Sequence, residues 1–130
     1  MNRRTYLQTI AALGAGTAVA SAAAGSAIQI HVEMDVDPAR EKELLTNYRQ
    51  TFRPAITKQP GFVEVKLMKF RSVVSGGVKP PAPYRLLISF QTEEQRLQWV
   101  ATDLHQKVWP TLSKTLKDPD AVTAILYDLV

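Results

Sequence analysis

From Ile28 to Asp35 apolar and polar side chains alternate, with Ile28, Ile30, Val32 and Met34 on one side and Gln29, His31, Glu33 and Asp35 on the other. That period predicts a half-buried strand. Asp37 and Pro38 then supply a helix cap and a first-turn proline, and Leu44, Leu45, Tyr48, Phe52 and Ile56 recur at helical spacing. This is a first helix, which Pro54 should bend or end. Gln59-Pro60-Gly61 reads as a turn into a second strand from Phe62 to Phe70. Its partner is Tyr84 to Phe90, across a loop holding Gly76, Gly77, Pro80, Pro81 and Pro83 that is too long for a tight hairpin and is either a lid or slack. Thr92-Glu93-Glu94-Gln95 has the pattern of a capping box, and Leu97, Val100, Leu104 and Val108 behind it form one apolar stripe. A second helix is predicted there, continuing past Pro110 through Leu112 and Leu116. Asp118-Pro119-Asp120 closes it before a last strand from Ala121 to Leu129.

The resulting order, β-α-β-β-α-β, predicts a ferredoxin-like α+β domain over residues 28–130: four strands in one antiparallel sheet with both helices on one face. The other face stays open unless something covers it, and pairing of two copies is the simplest cover. A chain of 130 residues, 45% hydrophobic, has room for one such core and no more. With no cysteine anywhere, disulfides, thiolate nucleophiles, cysteine-ligated zinc and iron–sulfur clusters are excluded. No phosphate-binding glycine loop, zinc-binding histidine cluster, paired-carboxylate signature or nucleophile elbow is present, so no metal site is expected.

Residues 1–27 contain Arg3, Arg4 and no acid, followed by an Ala- and Gly-rich apolar run. Asn2-Arg3-Arg4-Thr5-Tyr6-Leu7-Gln8 resembles the twin-arginine export motif. The resemblance implies a signal peptide over residues 1–27 that is removed, the twin-arginine machinery as a partner, and a folded protein delivered to the bacterial periplasm or beyond. The apolar run is too weak and interrupted for a permanent membrane anchor. Small-x-small patterns end at Ala20, Ala22, Ala24 and Ala27, with Ala24 or Ala27 favoured because the strand pattern opens at Ile28. Loss of Arg3 and Arg4 takes the formal charge from +4 to +2, with 14 Lys and Arg left against 12 Asp and Glu. Such a balance is not the footprint of a nucleic-acid binder.

Across nearly the whole remaining chain the sequence resembles the dimeric α/β-barrel superfamily, in the branch named for antibiotic biosynthesis monooxygenases. The matching pieces are Gln59-Pro60-Gly61-Phe62, Phe90-Gln91-Thr92-Glu93-Glu94 and His105-Gln106-Lys107-Val108-Trp109. The resemblance implies a homodimer of ferredoxin-like units paired sheet to sheet, a pocket between each sheet and its helices, and a small, aromatic or phenolic ligand. Known members of that group oxidise polycyclic phenols with no metal or flavin, degrade haem, or have no established reaction. The haem-degrading branch uses an asparagine in the first strand, a tryptophan ending the third and a histidine nine residues later. Here residues 28–35 hold no asparagine, Phe90 stands in the tryptophan's place and Trp99 in the histidine's. No cofactor is therefore expected, with a haem carrier kept as a minor alternative.

His31 and His105 are the candidate catalytic bases, able in principle to take a phenolic proton. His31 stands beside Glu33, and Gln29, His31 and Glu33 also read as the polar side of a strand at a dimer interface or barrel lumen. His105 and Trp109 are four apart on one helix flank and suit either a flat aromatic ligand or simple packing. Glu33, Trp109, Phe90 and Trp99 are the substrate-binding candidates. Trp99 lies far from the apolar stripe and covers an outer flank, meets a partner, or fills the space a haem would occupy. Arg49 and Arg53, four apart on the first helix, read as an anion site or as a solvated like-charge pair. Two functions of different class follow: an exported cofactor-independent monooxygenase, and a non-catalytic periplasmic binding or stress protein.

Overall fold

The computed structural model describes residues 27–130. The signal peptide expected over residues 1–27 lies outside the described residues except for Ala27. Strand β1 (Ile28–Met34) is followed by a 3-10 turn at Pro38–Arg40 and by α1 (Glu41–Asn47), a π turn (Tyr48–Phe52) and α2 (Arg53–Ile56), which run on as one helical rod. Then come β2 (Phe62–Lys69), β3 (Tyr84–Phe90), α3 (Glu93–Val100), α4 (Asp103–Ser113) and β4 (Thr123–Asp128). The strands form one antiparallel sheet in the order β2-β3-β1-β4, and the helices lie on one face, the predicted ferredoxin-like α+β architecture.

The alternation in β1 sets the layers. Ile28, Val32 and Met34 are buried toward the helices, and the register places them opposite Phe90, Leu86 and Tyr84 of β3, all buried too. Leu44, Tyr48, Phe52 and Ile56 of the rod and Val108 and Leu112 of α4 close over this layer. Asp37 caps the first turn through Ala39 N–H at 2.9 Å, as its position before Pro38 predicts. Pro54 does not at once end the helix, which stops two residues later at Ile56. The rod passes through the π turn immediately before it, with Arg53 N–H bonded five residues back to Tyr48 C=O, and continues to Ile56. Such a widened turn is one way a chain takes in a proline, which cannot donate to the ladder.

The second predicted helix is corrected in a way that matters for function. It is two helices, α3 and α4, separated at Ala101 and Thr102. Thr102 has an extended backbone and caps α4, accepting from His105 N–H at 3.0 Å. The break takes the expected stripe out of phase: Leu97 and Leu104 are 52% and 40% exposed, while Trp99 is 3% exposed. The last strand is shorter than Ala121 to Leu129, and every residue of β4 is exposed. Among the described residues, no helix is long and apolar enough to cross a membrane.

Candidate functional site

A cavity of about 150 Å³ lies between the sheet and the helices, on the β1–β4 side. Its floor is Ile30 and Val32 of β1, Leu86 and Ile88 of β3 and Ala124 of β4, all on the helix-facing side by register. Phe52, Val100 and Val122 add apolar wall, and the helices contribute Arg96, Trp99, His105 and Trp109. The lining is that of a small-molecule site: largely apolar, with few polar groups.

The break between α3 and α4 builds its polar end. On an unbroken helix, residues six apart point about 120° away from each other, so Trp99 and His105 would diverge. Here their rings meet edge to face, with centroids 5.1 Å apart. A single hydroxyl ties the two backbones together, because Thr102 Oγ1 donates to Trp99 C=O at 2.7 Å while accepting from His105 N–H. Trp99 also meets Phe52 edge to face at 6.2 Å, and Phe52 meets Trp109 at 6.5 Å. The three large rings brace one another in the edge-to-face arrangement their quadrupoles favour.

His105 is half-buried, and its Nδ1 is shut off from solvent without a hydrogen-bond partner. Burial, and secondarily the nearby Arg96 cation, lower its pKa below the usual 6.5, so the imidazole is neutral at pH 7. Arg96 is gripped by Glu93 through two hydrogen bonds of 2.7 Å, Nε to Oε1 and Nη2 to Oε2, which raises its own pKa and fixes the guanidinium plane. Nη1 makes no protein hydrogen bond among the described residues. The cavity therefore presents a neutral imidazole and a charge-compensated cation beside aromatic faces, a setting that suits a hydroxylated ring better than a free anion.

The remaining candidates lie elsewhere. His31 and Glu33 are on the open face of the sheet, away from the cavity. His31 Nε2 donates to Gln29 Oε1 at 2.7 Å and Nδ1 accepts from Arg85 Nη1 at 3.4 Å, so both ring nitrogens are engaged. Burial and Arg85 lower its pKa. Glu33 pairs with Arg85 at 2.9 Å rather than with His31. The expected His31 and Glu33 partnership is thus interrupted by Arg85, which sits opposite Glu33 in the register. Phe90 is fully buried against Phe62 in the core and does not line the cavity. Arg49 and Arg53 are exposed on the rod. The structure brings together Trp99, His105 and Trp109 and leaves His31, Glu33 and Phe90 outside. It adds Phe52, read from the sequence only as part of the first helix's apolar spacing, and Arg96, which sequence reasoning passed over because an arginine three residues after Glu93 resembles an ordinary surface ion pair. No residue of the 70–83 loop lines the cavity.

Haem does not fit this site. The cavity is the size of one aromatic ring, the buried indole of Trp99 occupies its wall, and the two histidines lie on opposite faces of the sheet. Among the described residues no cluster of three or more His, Asp or Glu is placed to hold a metal ion.

No protein-family model matches the chain, and no curated protein does. Solved structures do. A variant of SnoaB, a cofactor-independent oxygenase from Streptomyces nogalater, superposes with a TM-score of 0.62 at 14% identity, covering 81% of this chain and 94% of that one. The chain shares their ferredoxin-like fold. A candidate antibiotic biosynthesis monooxygenase from Caulobacter crescentus gives 0.62 at 19% identity, over 82% and 92% of the two chains. A dimeric ferredoxin-like protein of unknown function from Jannaschia gives 0.64 at 12% identity, over 79% and 99%.

Proposed function

We propose that this protein binds a small hydroxylated aromatic molecule in the cavity between sheet and helices and oxidises it with O₂ without a cofactor. The observation that carries this reading is the juxtaposition of a neutral His105 with Trp99, Trp109 and the fixed Arg96 in an apolar cavity. The fold shared with a cofactor-independent oxygenase supports it at the level of architecture alone. In this mechanism His105 accepts the phenolic proton as general base, and Arg96 favours the phenolate that results. The electron-rich ring then reacts with O₂, one oxygen atom entering the ring and the other leaving as water. Phenol to quinone is a four-electron oxidation, so the substrate supplies every electron that O₂ needs and no external reductant enters. The protein contributes orientation and exclusion of water.

The working assembly is a homodimer closed over the open face of the sheet. That face carries the charge-paired network of Gln29, His31, Glu33 and Arg85, flanked by Met68, Ile125 and Tyr127, which are 37%, 41% and 47% exposed. Apolar side chains around internally satisfied polar ones suit a protein partner. The twin-arginine motif at residues 2–8 supports export of the folded protein to the periplasm.

The test is oxygen uptake with a panel of phenols at pH 7.5, comparing wild type with His105→Gln. A phenol-dependent uptake that the variant loses, with its folding unchanged, is the expected result. Retention of a phenol without uptake by either protein makes the molecule a binding protein, and equal uptake by both removes His105 from the mechanism.

A further inference from the structure

We propose that Trp99 is the residue that sets the size of the ligand, restricting this cavity to a single aromatic ring. The inference rests on the aromatic-binding reading of the cavity and adds to it a substrate class and the side chain that enforces it.

Three observations carry it. The cavity, at about 150 Å³, matches the volume at which an apolar protein cavity accepts benzene. Trp99 is 3% exposed yet borders that space, so its indole is a buried object, larger than one ring, standing where additional ligand volume would have to come from. The floor at β1 and β3 and the Phe52 wall cannot retreat to the same effect. Ile30, Val32, Leu86 and Ile88 belong to β1 and β3, the two central strands of the sheet, and Phe52 is fixed on the rod between both tryptophans.

The indole is also held in place rather than free to swing aside. Its ring is braced edge-on by Phe52 and His105, and its backbone carbonyl accepts from both the N–H and the hydroxyl of Thr102, at 3.1 and 2.7 Å. A packed interior of this kind resists a change of even one methylene. Trp99 therefore acts as a fixed stop, with Arg96 and His105 at the same end to receive the hydroxyl of a one-ring phenol.

Isothermal titration calorimetry with phenol and 1-naphthol on wild type, Trp99→Leu and Trp99→Phe tests this, with thermal unfolding confirming that each protein is folded. Wild type should bind phenol at least tenfold more tightly than 1-naphthol. Trp99→Leu should tighten 1-naphthol at least tenfold and weaken phenol, with Trp99→Phe between the two. If Trp99→Leu fails to fold, the Trp99→Phe series decides on the same ratio. Binding of 1-naphthol by wild type as tightly as phenol, or a ratio unmoved in the folded variants, overturns the proposal while leaving an aromatic-binding cavity intact. Uptake of neither probe by wild type overturns both.

Discussion

Replacing Thr102 by valine keeps the shape of the side chain and removes one hydroxyl, so it isolates what that hydroxyl does at the α3–α4 junction. The group accepts from His105 N–H at 3.0 Å and donates to Trp99 C=O at 2.7 Å. Loss of an N-cap acceptor costs about 1 kcal/mol, within a range of roughly 0.5–2. The Trp99 carbonyl keeps its bond from Thr102 N–H at 3.1 Å, so losing the second hydrogen bond adds only about 0.5 kcal/mol. Thr102→Val should thus destabilise the domain by about 1.5 kcal/mol, a bit more than a tenfold change in the unfolding equilibrium. Urea titration followed by far-UV circular dichroism measures this, and the near-UV signal of the tryptophans reports the loosened pairing of Trp99 with His105. Thr102→Ser, which restores the hydroxyl, should recover most of both. A Thr102→Val loss below about 0.3 kcal/mol with an unchanged near-UV spectrum would refute the claim that this hydroxyl sets the junction.

At Gly61, φ is +81°, and a Cβ there would stand 2.0 Å from Gln95 Oε1. Gly61→Ala should cost about 1–2 kcal/mol for the left-handed backbone plus the displacement of Gln95, and adding Gln95→Ala should restore only the second part in denaturant titrations. His105 has a pKa lowered in the fold, chiefly by burial, so the unfolded chain binds its proton first as the pH falls. Stability from this group is therefore complete above about pH 6.5 and declines below it until the folded pKa is reached. Urea midpoints of wild type should fall between pH 7.5 and 5.5, and those of His105→Gln should fall less, the remainder coming from His31, whose pKa is lowered in the same direction.

Much of the fold was legible because short-range physics wrote it into the chain. The alternation from Ile28 onward, the Asp37-Pro38 start and the uninterrupted run from Tyr84 to Phe90 each specify an element without reference to anything distant, and the structure has β1, the capped first turn and β3 where they predict. The second helix failed at one point for a physical reason. Thr92 and Thr102 both have the chemistry of a helix cap, but a threonine inside a helical pattern caps a new helix only if the tertiary structure gains from the break. Here it gains the burial of Trp99, which exchanges places with Leu97 and Leu104.

The sequence by itself determined the order of elements, the layer each strand side belongs to and the supply of candidate groups, because period and capping are local. Only the tertiary structure decided which candidates share a site. His31 and Glu33 went to the open face because β1 alternates and its apolar side took the core, whereas Trp99, His105 and Trp109 converged because a break of two residues rotated one helix relative to the next. Phe90 had the right type for a ligand platform, but its register opposite Ile28 and its packing against Phe62 placed it inside the core. A side chain's type follows from the chain, while its neighbours follow from packing between segments remote in sequence.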